Sequence, residues 1–459
     1  MKKDFDAIVI GTGQAGPFLA VRMAAAGQRV ALIERHLFGG TCVNTGCIPT
    51  KTLVASAYSA HMVRRAADFG VLVAGAASVD MKQVKARKDQ IVGKSRSGLD
   101  SMFKSTPNLT VYRGHARFES PKEVTVGDDL LSAPQIFINV GGRAAIPPLP
   151  GVADTPYLTN STLLDLDVLP QRLIIVGGGY VGLEFGQIFR RFGSEVTIID
   201  KAPRLIGHED EAVSAEVQAI LECEGVQVRL NATCIGLKKL GDGKVGVRLD
   251  CTEGAPEVSG SHILLAMGRT QNTDDLGLEK SGVTRNERGY ILVDNQLRTN
   301  VPGIWALGDC NGHGGFTHTS YNDFEIVAGN LLDHETRSVT DRITAYNLYI
   351  DPPLGRVGMN ERDARASGRR VLKGSRPMTR VGRAIEKGET QGFMSVLVDA
   401  DSKQILGAAI LGTGGDEAIH CFLDIMYARA PYTVLKNAMH IHPTVCELIP
   451  TILGELHPL

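Results

Sequence analysis

Apolar positions along the chain form short runs that end in glycine, and one arrangement occurs twice. The first copy, "DAIVIGTGQAG", leads into a helical stretch and a second apolar run, "RVALIE", that ends at Glu34. The second copy, "RLIIVGGGYVG", leads through "LEFGQIFRRFG" to "EVTIID", which ends at Asp200. In both copies the acid lies 23 positions after the first glycine. Each copy predicts a strand, a glycine turn, a helix and a second strand ending in an acid, as in dinucleotide-binding units.

The three glycines of each copy have different physical roles. The first allows a tight turn, the second lets the backbone approach a pyrophosphate, and the third lets the helix pack closely on the strand. The helix N-terminus adds unpaired N–H groups and a positive dipole end for the phosphates. The glycines are Gly11, Gly13 and Gly16 in the first copy and Gly177, Gly179 and Gly182 in the second. The sequence therefore predicts that the chain binds two dinucleotides.

The remaining patterns are arranged around these two units. The Pro- and Gly-rich stretch from Gly141 to Gly151 predicts the crossing from the first unit to the second. The run "IWALGDC" predicts a strand that delivers Gly308 and Asp309 to a loop. From about Tyr346, strand-like segments and a helix near Glu417–Arg429 predict a third unit without a phosphate loop.

Length and composition bound the function class. A chain of 459 residues is expected to form several domains, and its 43% hydrophobic and 22% charged content is that of a globular protein. A net charge of −1 provides no general field for nucleic acid or an anionic membrane. The apolar runs are too short to span a bilayer, and "MKKDFDAIVIG" enters a strand directly, which predicts a cytoplasmic location.

The segment "GGTCVNTGCIPTK" places Cys42 and Cys47 five positions apart among glycines. The other six cysteines are scattered, and we expect each to be a small buried hydrophobic residue. No Cys/His cluster has zinc spacing, so no metal site is predicted. The scattered cysteines are Cys223, Cys234, Cys251, Cys310, Cys421 and Cys446.

Five motifs, "GTGQAG", "GGTCVNTGCIPTK", "GGGYVGLEF", "WALGDC" and "HPTVCE", occur in the order found in flavoprotein disulfide reductases. The chain resembles this family, which includes dihydrolipoamide dehydrogenase, glutathione reductase and mercuric reductase, over essentially its whole length. The resemblance implies an α/β fold of two doubly wound, Rossmann-like dinucleotide-binding domains and a C-terminal α+β dimerisation domain. The expected boundaries are 1–149 and 273–345 for a discontinuous FAD domain, 150–272 for the NAD(P) domain and 346–459 for the dimerisation domain.

The resemblance also implies both cofactors. The first unit would bind FAD, with Glu34 on its adenosine ribose and Asp309 near its ribityl chain. The second unit would bind NADH or NADPH. NADH is expected to be favoured because the Asp200 carboxylate binds a free 2′-hydroxyl and repels a 2′-phosphate, although Lys201 and Arg204 lie close enough to soften that preference. The implied FAD residues are Gly11, Gly13, Gly16, Glu34, Gly40, Thr41, Gly141, Gly308 and Asp309, and the implied NAD(P) residues are Gly177, Gly179, Tyr180, Gly182, Asp200 and Gly268.

By the same resemblance, Cys42 and Cys47 form a redox-active disulfide beside the flavin. Cys47 would exchange charge with the flavin ring, and Cys42 would attack the outer substrate. Lys51 and Glu184 would form an ion pair beside the flavin. Tyr180 would cover the nicotinamide pocket and swing aside for NAD(P)H, the alternative being a packed tyrosine.

The C-terminal segment "HIHPTVCE" resembles the acid–base dyad of the family, with His442 and Glu447 five positions apart. In a homodimer of this kind the histidine comes from the other subunit and moves a proton to and from the interchange thiol, while the carboxylate orients its ring. We expect His440 to be structural. Cys446 is either a third thiol near the site or a small buried hydrophobic residue.

The electron acceptor is left open between a small disulfide and a thiophilic metal ion, Hg(II) or Cu(II). The chain has no adjacent cysteines, unlike standard mercuric reductase, and Tyr321 and Phe324 stand where a lipoyl arm needs room. "FTHTSYNDFEIV" and "DPPLGRVGM" resemble a bacterial branch of mercuric-reductase-like and reactive-chlorine-resistance flavoproteins. The prediction is an FAD-dependent NAD(P)H oxidoreductase. The alternatives are a dihydrolipoamide dehydrogenase-type enzyme and a redox sensor without turnover, and a flavin monooxygenase is set aside because it has no use for the two cysteines.

Overall fold

The structure is a computed structural model that describes residues 2–250 and 254–459. It confirms the predicted fold class of two dinucleotide-binding units with parallel sheets and a C-terminal unit built on an antiparallel sheet. The predicted burial of Cys251, and of the Cys234 side chain, lies outside the described residues.

The first unit contains a five-stranded parallel sheet. Its central strand, Ala7–Ile10, is buried at every residue, as expected for a parallel sheet covered on both faces. In spatial order the strands are Ile304–Ala306, Gln135–Ile138, Ala7–Ile10, Val30–Glu34 and Leu109–Arg113. The helices of this unit are Gly16–Ala25, Gly40–Asn44, Cys47–Arg65, Met81–Ser105 and Thr317–Leu332, with a 3₁₀ turn at Ala66–Phe69.

One strand of this sheet comes from a distant part of the chain. Ile304–Ala306 pairs in parallel with Gln135–Ile138 after the whole second unit has intervened. Because carboxyl ends of parallel strands meet at one edge, the 3₁₀ turn Gly308–Asn311 lies at the same edge as the first glycine loop. This pairing supports the predicted discontinuous domain, whose boundaries stay a prediction.

A mixed four-stranded sheet covers part of the first unit. Its residue Phe118 is buried together with Leu276 and Leu278, so the segment returning from the second unit packs against it. In order, its strands are Lys2–Asp4, Asp129–Ser132, Glu123–Val126 and Ala116–Ser120, and the returning segment contributes the helix Leu278–Ser281 and the 3₁₀ turn Val339–Asp341.

The second unit repeats the first on a smaller scale. Its four parallel strands are Gln227–Arg229, Glu195–Ile199, Arg172–Val176 and His262–Leu265 in spatial order. Its helices are Asn160–Leu163, Tyr180–Phe192 and Glu211–Cys223, and an antiparallel sheet of Thr233–Lys239, Val245–Asp250 and Glu257–Gly260 packs beside it. The chain enters and leaves this unit through two paired antiparallel strands, Gly142–Ala144 and Arg269–Gln271.

The C-terminal unit contains a six-stranded antiparallel sheet with short helices. The one helix predicted near 417–429 is in fact two, Gly415–Ala418 and His420–Tyr427. The strands in order are Ala345–Leu348, Leu354–Gly358, Ile405–Leu411, Phe393–Asp399, Val371–Pro377 and His457–Pro458. The other helices are Glu361–Ala366, Gly382–Glu386, Thr433–Lys436 and Ile449–Gly454, with 3₁₀ turns at Met378–Arg380 and Cys446–Leu448. No helix in the described part of the chain is long and apolar enough to cross a membrane.

Candidate active site

One cavity of about 1290 Å³ is lined by residues of all three units. It exceeds the roughly 300–1,000 Å³ of ordinary ligand pockets. The predicted site residues in its wall are Gly11, Gly13, Glu34, Gly40, Thr41, Cys42, Cys47, Lys51, Gly141, Tyr180, Glu184 and Asp309. Among the described residues, those predicted for the site but outside this wall are Gly16, Gly177, Gly179, Gly182, Asp200, Gly268, Gly308, His442 and Glu447.

The first glycine loop has the conformation that its sequence requires. Gly11 has φ +103°, and a Cβ there would collide with the carbonyl of Asn139. At Gly16 a Cβ would collide with the carbonyl of Gly11, so the helix can approach the strand only without a side chain. The Asn139 amide donates to the carbonyl of Gly13 at 3.2 Å and holds the loop.

Glu34 lies at the end of its strand, directly behind this loop. One carboxylate oxygen accepts hydrogen bonds from Thr12 N and Oγ1 at 3.0 and 2.6 Å, and the other accepts from His36 N at 2.8 Å. A carboxylate offers about four acceptor sites, so Glu34 keeps capacity for a ribose hydroxyl. The same cavity continues to Asp309, where burial raises the pKa of the carboxyl although Arg269 Nε lies 3.7 Å away.

These residues fit FAD. The cavity joins an acceptor carboxylate for a ribose, a glycine loop at a helix N-terminus for a pyrophosphate, and the two thiols. Gly141, with φ +60°, has open space within 4 Å where a Cβ would stand, so the backbone there faces the cavity without obstruction. Glu34, Gly13 and Asp309 would hold the dinucleotide, which when bound supplies a ring that accepts hydride and passes two electrons to sulfur.

The second glycine loop repeats the design of the first. Gly177 has φ +122°, and a Cβ there or at Gly182 would collide with a backbone carbonyl. The Asp200 carboxylate accepts hydrogen bonds from Gly178 N at 2.5 Å and Ala202 N at 2.7 Å. At Gly179 a Cβ would meet nothing within 4 Å, which leaves the middle of the loop open for a phosphate.

The two thiols of the cavity differ in acidity. Cys42 lies in the helix Gly40–Asn44, and Cys47 is the first residue of the helix Cys47–Arg65. A hydrogen bond from Cys42 is the main cause that lowers the pKa of Cys47 to about 6, and Thr317 Oγ1, at 2.9 Å, and the charge of Lys51 add to it. The same hydrogen bond, together with burial, raises the pKa of Cys42. Cys47 is therefore the thiolate of the pair.

Lys51 and Glu184 form the predicted ion pair. Lys51 Nζ lies 2.8 and 2.6 Å from the two carboxylate oxygens, and the Glu184 side chain is only 8% exposed. Glu184 also accepts a hydrogen bond from Tyr349 N at 3.0 Å, and the Lys51 ammonium lies 4.6 Å from the Tyr349 ring centroid. The buried carboxylate thus holds the ammonium in the wall that also contains Cys47.

Tyr180 is tethered in the cavity wall by its hydroxyl group. It donates to Oε1 of the buried Glu209 at 2.7 Å, as Tyr346 also does. Arg356 Nε lies 3.4 Å from the other oxygen of Glu209. The Tyr346 ring stacks on Phe316 with centroids 5.3 Å apart. Burial is the main cause that raises the pKa of Tyr180, with the Glu209 charge second, so its hydroxyl stays protonated as a donor.

Two aromatic residues expected to obstruct the cavity do not do so. Tyr321 and Phe324 pack on Phe18, with centroids 5.0 and 6.0 Å away, and neither is among the described residues that line the cavity. They lie on helix Thr317–Leu332, which packs against Gly16–Ala25. Neither side chain therefore narrows the cavity within one chain, and the predicted exclusion of a lipoyl arm stays a prediction.

His442 and Glu447 form a pair that is not part of the cavity wall of their own chain. His442 Nδ1 lies 2.7 Å from a Glu447 oxygen, and the His442 side chain is 79% exposed. The carboxylate fixes Nδ1 as the protonated nitrogen and leaves Nε2 free to exchange a proton. His440 is half-buried. Within the described residues, its ring has one hydrogen-bond contact, to the nearby Ala438 carbonyl at 3.3 Å.

The scattered cysteines do not all follow the predicted burial. Cys310 is fully buried, but Cys223 is exposed because it ends the helix Glu211–Cys223, so the prediction for Cys223 is wrong. Cys421 and Cys446 are half-buried. Across the described residues, no group of three or more His, Cys, Asp or Glu side chains could hold a metal ion.

Comparison with known proteins decides the family. The profile of the pyridine nucleotide-disulphide oxidoreductases matches residues 5–323, and that of their dimerisation domain matches residues 344–452. The chain belongs to the pyridine nucleotide-disulphide oxidoreductase family. Members of this family are oxidoreductases that use FAD and a pyridine nucleotide, and the dimerisation domain indicates a homodimer.

Two relatives and one solved structure show which members of the family the chain is similar to. It is 36% identical to the probable pyridine nucleotide-disulfide oxidoreductase RclA of Escherichia coli, covering 96% of this chain and 97% of that protein. It is 34% identical to dihydrolipoyl dehydrogenase of Thermus scotoductus, covering 99% and 98% of the two chains. The solved Cu(II) complex of the HOCl-induced flavoprotein disulfide reductase RclA from E. coli superposes with a TM-score of 0.90 at 35% identity, covering 99% of each chain.

Several residues of this oxidoreductase site were not predicted from the sequence. Thr317 and Glu209 lie far in sequence from the thiol and the tyrosine that they contact, so no local pattern points to them. The positions of Asn139 and Arg269 in the sequence give a weak indication that they belong to the site. Each comes shortly after an apolar run that forms a strand, at the carboxyl end of that strand. Polar residues at those strand ends are the signal that could have found them.

Proposed function

We propose that this enzyme uses electrons from NAD(P)H to reduce a disulfide between Cys42 and Cys47, and that the dithiol then reduces a small disulfide or a thiophilic metal ion, Hg(II) or Cu(II). The observation that carries the proposal is the thiol pair itself. The contact with Cys42 lowers the pKa of Cys47 to about 6, and Cys47 lies in one cavity with Glu34, Tyr180 and the Lys51–Glu184 ion pair. A thiolate at neutral pH beside a cation is the form needed for thiol–disulfide exchange.

The two thiols have different roles in the exchange with a disulfide substrate. The sulfur of Cys42, deprotonated by His442, attacks one substrate sulfur, which forms a mixed disulfide and breaks the substrate S–S bond. The leaving thiolate takes the proton back from His442. The Cys47 thiolate then attacks the Cys42 sulfur, closing the Cys42–Cys47 disulfide and releasing the second product as a thiolate, which takes a proton from water. Two electrons leave the dithiol in each cycle.

The proton shuttle is proposed to come from the partner subunit. His442 is 79% exposed and lies outside the cavity wall, although its Glu447 hydrogen bond orients it for acid–base work. The C-terminal unit matches a dimerisation domain, so a second copy can bring this exposed ring to the open cavity. In this proposal neither subunit completes an active site alone.

Two acceptor classes have support. The Cu(II) complex recorded for the similar RclA, together with two accessible thiols here, supports a thiophilic metal ion. The dihydrolipoyl dehydrogenase similarity over 99% of the chain, and the packing of Tyr321 and Phe324 away from the cavity, support a dihydrolipoamide dehydrogenase-type reaction as the second candidate.

An anaerobic acceptor series tests these possibilities. The holoenzyme is given NADH with lipoamide, glutathione disulfide, Hg(II) in excess thiol, or Cu(II), and NADH consumption is followed. Sustained turnover with one of them is expected and identifies the acceptor class. Reduction by a single equivalent of NADH, with no turnover on any acceptor, would contradict the proposal and favour a redox sensor.

NADH is proposed as the preferred nucleotide. The Asp200 carboxylate is held at the end of its strand by Gly178 and Ala202, where a 2′-phosphate would meet a negative charge. Asp200→Asn keeps the acceptor oxygen for a ribose hydroxyl and removes the charge. The ratio of kcat/KM for NADH and NADPH is expected to favour NADH in the parent and to shift about tenfold towards NADPH in the variant, the equivalent of about 1.4 kcal/mol. A parent enzyme that prefers NADPH would contradict it.

A further inference from the structure

A second pair of thiols lies in the C-terminal unit, outside the cavity. Cys421 is the second residue of the helix His420–Tyr427, and Cys446 begins the 3₁₀ turn Cys446–Leu448. Their sulfur atoms are 3.5 Å apart and share a weak S–H···S hydrogen bond. Both side chains are half-buried at the edge of the apolar core of this unit. The fold therefore brings together two thiols that are 25 residues apart.

The two thiols are not equivalent. The hydrogen bond between the two thiols is the main cause that lowers the pKa of Cys421 to about 7, and the backbone N–H of Cys421 adds to the effect, while burial and the Asp424 charge oppose it. The same hydrogen bond, together with burial, raises the pKa of Cys446. With its sulfur 3.5 Å from that of Cys421, Cys446 is placed to resolve an oxidised Cys421.

We propose that Cys421 and Cys446 form a second redox site, at which a hydroperoxide converts the two thiols to a disulfide. The Cys421 thiolate attacks one oxygen of the peroxide, the O–O bond breaks, and the products are a Cys421 sulfenic acid and an alcohol, or water from hydrogen peroxide. The Cys446 sulfur then attacks the sulfenic sulfur, forming the S–S bond and releasing the hydroxyl group with the Cys446 proton as water. Two thiols and one peroxide give one disulfide, one alcohol and one water.

The disulfide has a consequence for the neighbouring proton shuttle. Bond formation brings the two sulfur atoms from 3.5 Å to about 2.05 Å. Cys446 directly precedes Glu447, whose carboxylate lies 2.7 Å from His442 Nδ1. Pulling the turn towards the helix displaces this carboxylate and weakens the hydrogen bond that orients His442. The disulfide itself is independent of the proposed function, whereas this consequence rests on it.

The site is tested in a Cys42→Ser/Cys47→Ser holoenzyme, which removes the thiols of the cavity. After hydrogen peroxide treatment, the peptides are separated without reduction and analysed by mass spectrometry. We expect a Cys421–Cys446 cross-link and the loss of two free thiols per chain. Adding Cys446→Ser should leave a Cys421 sulfenic acid that dimedone traps, whereas Cys223→Ser, which removes an exposed single thiol, should leave the cross-link unchanged. Oxidation of Cys421 no faster than that of Cys223, without a cross-link, would overturn the proposal.

The consequence is tested in the otherwise unchanged enzyme. Peroxide is added and removed, and NADH then re-reduces the Cys42–Cys47 pair before turnover with the acceptor is measured. We expect turnover to fall several-fold, to return after dithiothreitol treatment, and to be unaffected by peroxide in Cys421→Ser and Cys446→Ser. An unchanged rate in an enzyme shown to carry the cross-link would overturn the link to His442 but not the site, and it would leave the proposed function intact.

Discussion

The two cysteine pairs are brought together by different levels of structure. Cys42 and Cys47 are five positions apart, on the adjoining helices Gly40–Asn44 and Cys47–Arg65. Cys421 and Cys446 are 25 positions apart and come from a helix and a 3₁₀ turn of the C-terminal unit. In each pair, the hydrogen bond between the two thiols is the main cause that lowers the pKa of one of them, to about 6 for Cys47 and about 7 for Cys421.

The surroundings of the pairs differ more than the pairs themselves. The charge of Lys51 and the hydroxyl of Thr317 further lower the pKa of Cys47, whereas the Asp424 carboxylate opposes the thiolate of Cys421. Cys42 and Cys47 line the large cavity, and Cys421 and Cys446 are not among the described residues of its wall. Two close thiols are enough to form a disulfide. Turnover also requires a cavity that holds the electron donor beside the thiols and admits the substrate.

The largest expected effect separates the pairs by function. Cys47→Ser should lower acceptor reduction by on the order of 10⁴-fold or more, because the thiolate that closes the disulfide is lost. Cys421→Ser, the matched change in the second pair, should leave turnover of the untreated enzyme within about twofold, on the order of half a kcal/mol. Steady-state NADH oxidation with the acceptor identified above measures both. A comparable loss in the two variants would break the comparison.

His442 lies close in sequence to the second pair but is proposed to serve the first. His442→Ala should lower turnover by on the order of 10² to 10⁴, the usual contribution of a general acid–base group. It should leave reduction of the enzyme by NADH in a single turnover nearly unchanged. Heterodimers of Cys42→Ser and His442→Ala chains contain one complete site only if the histidine acts in trans, so they should recover about half of the parent activity on that counting. Purified heterodimers without activity would argue for action within one chain.

The charge of Lys51 should distinguish the acidities of the two nucleophilic thiols. In Lys51→Met/Glu184→Gln, the cation is lost without leaving an unpaired buried carboxylate, and Gln keeps an acceptor for Tyr349 N. The pKa of Cys47 should rise by about one unit, since an opposite charge no longer stabilises its thiolate. The rate of iodoacetamide alkylation against pH, measured for each cysteine by mass spectrometry, reports the change. The profile of Cys421 is the internal control, and an equal shift in both thiols would contradict a local effect of Lys51.

The smallest effect is expected from Thr317, whose hydroxyl contacts the Cys47 sulfur. Within the described residues, the side-chain hydrogen bond of Cys421 is to Cys446 and not to a hydroxyl. Thr317→Val keeps the shape of the side chain and removes the hydroxyl. One neutral hydrogen bond contributes about 0.5–1.5 kcal/mol, so the pKa of Cys47 should rise by about half a unit to one unit. The same alkylation profile measures it. A downward shift would show that the hydroxyl does not stabilise the thiolate.

The sequence alone determined those features that depend on local backbone geometry. The glycine loops at Gly11 and Gly177 were predictable because a positive φ and a close carbonyl exclude side chains there. Glu34 ends its strand as predicted, and Asp200 directly follows the strand Glu195–Ile199. The three-unit α/β fold followed from the same patterns and from the resemblance, and it is confirmed.

Only the tertiary structure decided the contacts that join distant segments. Lys51 meets Glu184 across 133 residues, and Cys47 meets Thr317 across 270. The packing of Tyr321 on Phe18, which overturned the expected obstruction, and the meeting of Cys421 with Cys446 are of the same kind. Such contacts leave no periodic trace in the sequence, because they depend on how whole sheets and helices pack, and many different residues satisfy the local backbone at each position.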